Sequence, residues 1–275
     1  MREPLKLVKR KGITFFTFPL WENNTQVSLS FSTRLTGVSS GPFASLNLGL
    51  KSGDDIEKVR ENRRRFLALW GKKEEDLVFG EQVHGSDVVE VDRSVEHYAV
   101  PPAADGFITA RKDVLLGAFS ADCVLAFFYE PRLPAVGIAH AGWRGTLQGI
   151  FFKVIDKMEE IYSINREEVQ VVLAPSIGPC CYEVGPSVVE LFPSSSHYQD
   201  VVFYAGKKKG YGYFDLRETN RCVLLKAGVK RDNIFVSGYC TCCNPKIFYS
   251  YRRSLGKDAG SMMGIIFLDS RKTAL

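Results

Sequence analysis

The sequence predicts an α+β fold, a single domain of mixed strands with outer helices. Three observations carry this: short apolar runs bounded by turn residues crowd the middle of the chain, two segments show helical periodicity, and no linker, repeat or low-complexity stretch divides residues 1–275. Taken in order, VSLSFSTR (Val27 to Arg34) alternates as a strand does. GVSSGPFASLNLGLKSGDD after it is a long Gly/Ser-rich loop, of the kind that carries function inside a compact domain. From Asp55 to Trp70, Ile56, Val59, Phe66 and Trp70 keep helical spacing, with Asn62 and Arg63 interrupting the stripe. LVFG and DVVEVD read as short strands flanking EQVHGS, and VLLGAFS, VLAFFYE, AVGIAH and VQVVLA as further strands.

After IAHAGWRG, the residues Leu147, Ile150, Phe151, Val154, Ile155, Met158 and Ile161 fall on one helical face and predict a strongly amphipathic helix. A second helix begins at Asp215, with Glu218 three residues on as a capping box, and runs to about Val229, where Gly228 helps to end it. IFVSGY and MMGIIFL close the chain as strands.

Composition excludes several classes. With 45% hydrophobic and 24% charged residues, a chain of 275 has material for an ample core and is not disordered. The formal charge of +5 is mild, and the runs Arg63 to Arg65 and Lys207 to Lys209 read as solvated faces, so no nucleic-acid partner is expected. The N-terminal MREPLKLVKRKGITFFTF has no apolar signal-peptide core, and no segment reaches membrane-spanning length. A cytoplasmic protein without a membrane partner is expected. Seven cysteines, an odd count with two adjacent pairs, fit reduced thiols there better than a disulfide framework.

His84 in EQVHG, Cys123 in SADCV and His140 in IAHAG each sit where an apolar strand meets a turn, so all three can point into one cleft. Two imidazoles and a thiolate suit tetrahedral zinc with a fourth position open for water. Gaps of 39 and 17 residues match no local metal motif, however, and a buried cysteine or a core histidine is the commoner fate of each residue. In HAGWRG, Gly142 and Gly145 allow close backbone approach, so that Arg144 and the start of the following helix are set to receive an anion, phosphate first. Packing of Trp143 and a surface ion pair of Arg144 are the structural alternative. Arg34, Asn47 and Asn62 are further candidate polar contacts in or beside the long loop, with turn and cap chemistry as their alternative. Cys240, Cys242 and Cys243 invite a zinc site with Cys180 or Cys181, but the spacing lacks the C-x-x-C pairs of a zinc ribbon, and free buried thiols are the expectation.

GEQVHGSDV, ADGFIT, SADCV, GIAHAGWRGT, APSIGPCCYEVG and CTCC with FYSYRR, in that order and with TRLTGVSSGPFASLNLGL upstream, resemble the YfiH-like laccase-domain family, also called polyphenol oxidases and peptidoglycan-editing factors, from Thr33 to Leu268. The resemblance implies an α/β/β/α-type layered sandwich with mixed sheets and a metal held by His84, Cys123 and His140. It also implies phosphorolysis of purine nucleosides such as adenosine, inosine and methylthioadenosine, with inorganic phosphate, and adenosine deamination as a second activity. Zinc is the expected ion, with copper as the other occupant of the same site. Glu81 and Asp122 are the candidate proton-shuttling carboxylates, and Arg144, then Arg34, the phosphate ligands. Two departures affect substrate contacts: Lys51 or Ser52 stands where the family commonly has histidine, and Ala259 to Ser261 replaces a TGR-like segment.

Four histidines cannot furnish the roughly ten His and Cys ligands of a true multicopper oxidase, so phenol oxidation would have to come from a single copper. A metal-free cysteine hydrolase, with Cys123 as nucleophile and His140 or His84 as base, uses the same residues. A factor that edits or binds cell-wall precursors is the non-enzymatic alternative.

Overall fold

The long apolar runs belong to strands covered on both faces, which removes the polar alternation of a strand with one wet side. In the structure, a computed structural model that describes residues 3–24, 26–92, 98–192 and 202–269, VLAFFYE and AVGIAHA form β8 (Val124–Glu130) and β9 (Ala135–Ala141), buried throughout. They are the centre of a six-stranded sheet whose order is β14 (Ile234–Val236), β10 (Gln170–Leu173), β8, β9, β6 (Gly106–Thr109) and β5 (Val88–Glu90). A second six-stranded sheet runs β1 (Lys6–Arg10), β2 (Ile13–Thr17), β3 (Val27–Ser32), β15 (Met262–Leu268), β7 (Leu115–Ser120) and β4 (Leu77–Val78). Both are mixed, with parallel pairs β10–β14, β5–β6 and β4–β7 at their edges. A small third sheet orders β11 (Glu183–Val184), β13 (Gly212–Phe214) and β12 (Phe203–Ala205).

Side-chain packing gives the layers. Phe16, Leu29, Phe31 and Ile266 of one large sheet meet Phe107, Leu125, Phe127 and Ile138 of the other in a shared buried seam. The far face of the β8–β9 sheet is covered by α4 (Ile150–Tyr162), through Phe151, Val154, Ile155 and Met158, and by α6 (Leu216–Lys226), through Val223 and Leu224. The far face of the β15 sheet is covered by Phe66 and Leu67 of α2 (Ile56–Leu67) and by Trp70 just beyond it. The order is helix, sheet, sheet, helix, as the resemblance implies. Among the described residues three short helices complete the set: α1 (Pro19–Asn24), α3 (Trp143–Leu147) and α5 (Pro186–Val189). No helix among the described residues is long and apolar enough to cross a membrane.

Two expectations need correction. The amphipathic helix after HAGWRG is not continuous: Gly149, with φ of 72°, breaks it into α3 and α4, a left-handed conformation that glycine adopts without a Cβ penalty. Arg63 is not on a solvated face. It is fully buried, donating to the Leu48 carbonyl at 2.9 Å and to Glu74, with its guanidinium stacked near Phe79 and Phe119. Lys207 to Lys209 are exposed, as expected. The α6 capping box forms only in half: Asp215 accepts from the Glu218 N–H at 3.1 Å, but the Glu218 carboxylate pairs with Arg221 and the Asp215 N–H donates to the Val202 carbonyl at 2.8 Å. Strands β1, β2 and β6, helix α1 and the small sheet have no counterpart in the sequence reading, being short or carried on mixed polar segments.

Asn62 belongs to this framework. Buried on α2, it accepts from the Val38 N–H at 2.8 Å and donates to Ser39 Oγ and the Ser45 and Asn47 carbonyls at 2.9, 3.1 and 3.0 Å. It pins the long loop to the helix, and among the described residues it is not part of the cavity wall. Asn62→Ala is expected to destabilise the fold by roughly 2–4 kcal/mol, because the backbone groups it satisfies stay buried. Urea unfolding measures this; unchanged stability would show that the loop finds other partners.

Candidate active site and metal centre

The site forms at one end of the β8–β9 sheet. Leu125 pairs with His140 and Val124 with Ala141, so Cys123, one residue ahead of β8, lies beside the end of β9 that carries His140. Strand alternation puts His140 on the face of Ile138 and Val136, which turns toward the other sheet. The imidazole therefore stands in the seam between the sheets. Asp105, immediately before β6, accepts from the His140 N–H through its carbonyl at 2.8 Å, and its Oδ1 lies 2.8 Å from His140 Nδ1. That contact orients the ring and leaves Nε2 for a ligand.

His84 arrives on the loop after β4 with a left-handed backbone, φ 59°. The same Asp105 carboxylate holds it there, accepting from the N–H groups of Val83, His84 and Gly85 at 3.0, 3.2 and 2.8 Å. One buried carboxylate thus positions both histidines, whose rings lie 4.9 Å apart at 82°. Asp105 was missed in the sequence. Its signal was an aspartate at the mouth of a strand in ADGFIT, indistinguishable there from an ordinary turn residue.

Burial acts against ionisation here, and the neighbours outweigh it. Burial alone would push the Cys123 thiol up, yet charge and hydrogen bonding from His140, joined by His84, bring it down to about 6. Burial would lower His140, but the Cys123 thiolate and the Asp105 carboxylate raise it to about 9. Burial would also raise Asp105, while His140 and the Gly85 and Val83 N–H groups hold it below the usual carboxylate range. The pairing with His140 favours the Cys123 thiolate, the form that binds soft metals and attacks electrophiles.

The donor set fits a metal ion. The ligating atoms of His84, Cys123 and His140 lie within 4.8 Å of one another. Gly142 leaves the space beside them: a Cβ there would sit 3.0 Å from Cys123 Sγ and 3.1 Å from His84 Cδ2. Two imidazoles and one thiolate, with a side open to a cavity, match the three-ligand pattern of catalytic metal sites. The cavity measures about 1020 Å³, at the upper end of small-molecule pockets, and Glu81, Asp122, Trp143, Arg144 and Tyr182 share its wall.

Comparison with known proteins follows the same lines. Residues 28–269 match the family described as multi-copper polyphenol oxidoreductase laccase. The chain is 39% identical over 241 residues to a purine nucleoside phosphorylase, YlmD, of Geobacillus stearothermophilus, covering 86% of this chain and 88% of that protein. It is 32% identical over 239 residues to an adenosine deaminase, RL5, of an unknown prokaryotic organism, covering 84% and 90%. The crystal structure of the Bacillus licheniformis hypothetical protein YfiH superposes with a TM-score of 0.87 at 34% identity, covering 95% of this chain and 98% of that one. The chain belongs to the YfiH-like laccase-domain family.

Within this laccase-domain protein, the remaining candidate residues divide sharply. Asp122, with φ of 102°, lines the cavity, but its carboxylate is engaged by three donors: Thr241 Oγ1 at 2.6 Å, Ser250 Oγ at 2.9 Å and the Arg252 N–H at 2.7 Å. Glu81 is exposed at the cavity and paired with Lys51, whose hydrogen bond and charge hold its carboxyl below the usual range. Four cations line the cavity among the described residues: Lys51, Arg63, Arg144 and Arg252. Lys51 and Arg63 are paired with Glu81 and Glu74, and Arg252 donates to the Cys181 and Glu183 carbonyls at 3.3 and 2.8 Å. Arg144 differs, its guanidinium lying 4.5 Å over the Trp143 ring with no carboxylate or carbonyl bound among the described residues.

Arg34 and Asn47 sit outside the cavity wall. Arg34 donates to the Ala44 carbonyl at 2.8 and 2.6 Å and to that of Pro245 at 3.1 Å, stacked on Tyr249, so it fastens the loop. Asn47 donates to Ser52 Oγ at 2.7 Å and Asp54 at 3.1 Å and accepts from the Gly49 and Ser261 N–H groups at 3.1 and 2.9 Å. It thereby knits together the segments around Ser52 and Ser261. Lys51, Ser52, Ala259 and Ser261 all line the cavity. The cysteines after β10 are not simply buried thiols either: Cys180 and Cys243 are exposed, and Cys240 with Cys243 does make one C-x-x-C pair.

Proposed function

We propose that this protein is a zinc-dependent purine nucleoside phosphorylase with adenosine deamination as a second activity of the same cavity, working in the cytoplasm, where its cysteines stay reduced. The observation that carries the reading is the His84–Cys123–His140 set, oriented by Asp105 and open to a cavity lined also by Arg144, which has no carboxylate or carbonyl partner among the described residues. The names of the relatives support the substrate class, with adenosine, inosine and methylthioadenosine as the nucleosides to try. Mixed nitrogen and sulfur donors in this number suit zinc, with copper as the other possible occupant, and a blue-copper centre plus a trinuclear cluster is out of reach for a chain with four histidines. Zinc held there supplies Lewis acidity and an open coordination position.

The rest falls to the chain's own residues. Arg144 holds the phosphate dianion through its planar fork of donors. As a phosphate oxygen attacks C1′ of the ribose, the bond from C1′ to the base breaks and the base leaves with the electron pair, taking up a proton. Glu81 passes protons at the purine, since it is exposed at the cavity and its partner Lys51 is itself solvent-exposed. Asp122, its oxygens engaged, positions the loop around Arg252 instead. Arg34 holds the loop rather than the anion. Deamination requires water in the cavity and no phosphate.

Incubating metal-quantified protein with each nucleoside, with and without phosphate, tests the reading. Phosphate-dependent release of free base and ribose 1-phosphate is expected, with phosphate-independent formation of inosine from adenosine; absence of both overturns it. Arg144→Ala is expected to lower phosphorolysis roughly a hundredfold or more and to leave deamination within a few-fold, because only the first needs a bound dianion. Equal loss of both, in folded and metal-loaded protein, would move the anion site elsewhere.

One observation favours a second reading. Asp105, His140 and Cys123 line up as orienter, imidazolium and thiolate nucleophile, the ion pair of a cysteine hydrolase. Removal of metal by a chelator separates the two. The hydrolase keeps its activity, and the phosphorylase loses it and regains it on adding zinc.

A further inference from the structure

We propose that Cys180, Cys181, Cys240 and Cys243 hold a second zinc ion, in a closed structural site distinct from the His84–Cys123–His140 set. Their four sulfurs lie within 4.8 Å of one another. Cys243 Sγ is 3.5 Å from Cys180 Sγ and 3.3 Å from Cys181 Sγ. Those separations are far beyond a disulfide bond of about 2.05 Å. They are close to the edge of a tetrahedron of sulfurs around zinc, roughly 3.8 Å for bonds of about 2.3 Å.

The backbone is arranged to deliver all four. Residues 179–181 form a turn in which the Cys181 and Tyr182 N–H groups donate to the Gly178 carbonyl at 3.0 and 3.1 Å, so adjacent cysteines face one point. On the other side, Cys240 and Cys243 are a C-x-x-C pair, the commonest half of a zinc knuckle. The Gly178 N–H donates to Cys240 Sγ at 3.2 Å, a bond that favours thiolate over thiol. Around the cluster, Arg252 donates to the Cys181 carbonyl and Arg253 to those of Thr241 and Cys242, placing positive charge beside a site that would carry net negative charge.

The ion would clamp two loops that wall the cavity. The first continues into Tyr182 and the second, past Asn244, into Tyr251 and Arg252, all cavity-lining. Its role is to hold that wall, since all four coordination positions are taken and none is left for substrate.

Metal content and cobalt substitution decide the proposal. Wild-type protein isolated without air is expected to hold two zinc ions per chain. Cys240→Ser with Cys243→Ser should hold one, as should His84→Ala with His140→Ala. Cobalt exchanged into the histidine variant should give the strong thiolate-to-metal charge-transfer absorption of a four-sulfur site, and cobalt in the cysteine variant the weak absorption of a single thiolate. If the cysteine variant fails to fold, the cobalt spectrum of the histidine variant still decides. A histidine variant that holds no zinc, a single-thiolate spectrum in that variant, or a disulfide among the four in anaerobically isolated protein would each overturn the proposal.

Discussion

Cys123→Ser is expected to lose metal from the histidine site and to lower both nucleoside activities together by about a thousandfold or more. A neutral serine hydroxyl is a far poorer ligand than a thiolate, the form favoured at Cys123, whose thiol is brought down to about 6 against the effect of burial by His140 and His84. Loss of several kcal/mol of charge stabilisation at a metal site gives a rate effect of this size, each 1.36 kcal/mol being tenfold. Elemental analysis alongside both assays is the measurement. Intact metal content with lost activity would instead favour Cys123 as a nucleophile and the hydrolase reading. His84→Ala with His140→Ala should reproduce the metal loss, and normal occupancy of that site in this variant would sink the assignment.

Asp105 is expected to matter nearly as much without touching substrate. Asp105→Asn keeps the shape but offers a single acceptor oxygen where the carboxylate serves three N–H groups and the His140 ring. Metal affinity should fall roughly ten- to hundredfold, the usual cost of losing the partner that orients a histidine ligand. Asp105→Ala leaves those donors unpaired in a buried place and should destabilise the fold by at least about 3 kcal/mol. The asparagine variant separates orientation from folding: a lowered metal affinity at unchanged stability identifies Asp105 as a positioning residue. Unchanged affinity would mean that the His84 loop and the His140 ring are held by packing alone.

The central strands and main helices were legible because their signals are local. Double-sided burial writes β8 and β9 as unbroken apolar runs, and the stripe through Phe151, Val154, Ile155 and Met158 has a helical period whatever lies beneath it. The break at Gly149 was not legible, since apolar spacing continues across it and only the backbone conformation shows the turn. Asn62 and Arg63 looked like interruptions of the α2 stripe. They are part of its buried face, because the loop over it supplies carbonyls and a hydroxyl, and Glu74 beyond the helix a carboxylate, that make polar burial affordable.

From the sequence by itself came the layered fold, the family and the three residue types that suit a metal, each at the end of an apolar run. Which polar residues meet was decided only by tertiary structure. His84, Cys123 and His140 are separated by 39 and 17 residues, and antiparallel pairing of β8 with β9, together with one carboxylate binding two loops, brings them to one point. The same holds for Asp122 against Arg144, two polar residues beside candidate ligands. One is engaged by three donors and the other faces the cavity without a carboxylate or carbonyl partner among the described residues. Hydrogen bonds and coordination depend on distances of a few ångströms between atoms far apart in the chain, and apolar periodicity carries no record of them.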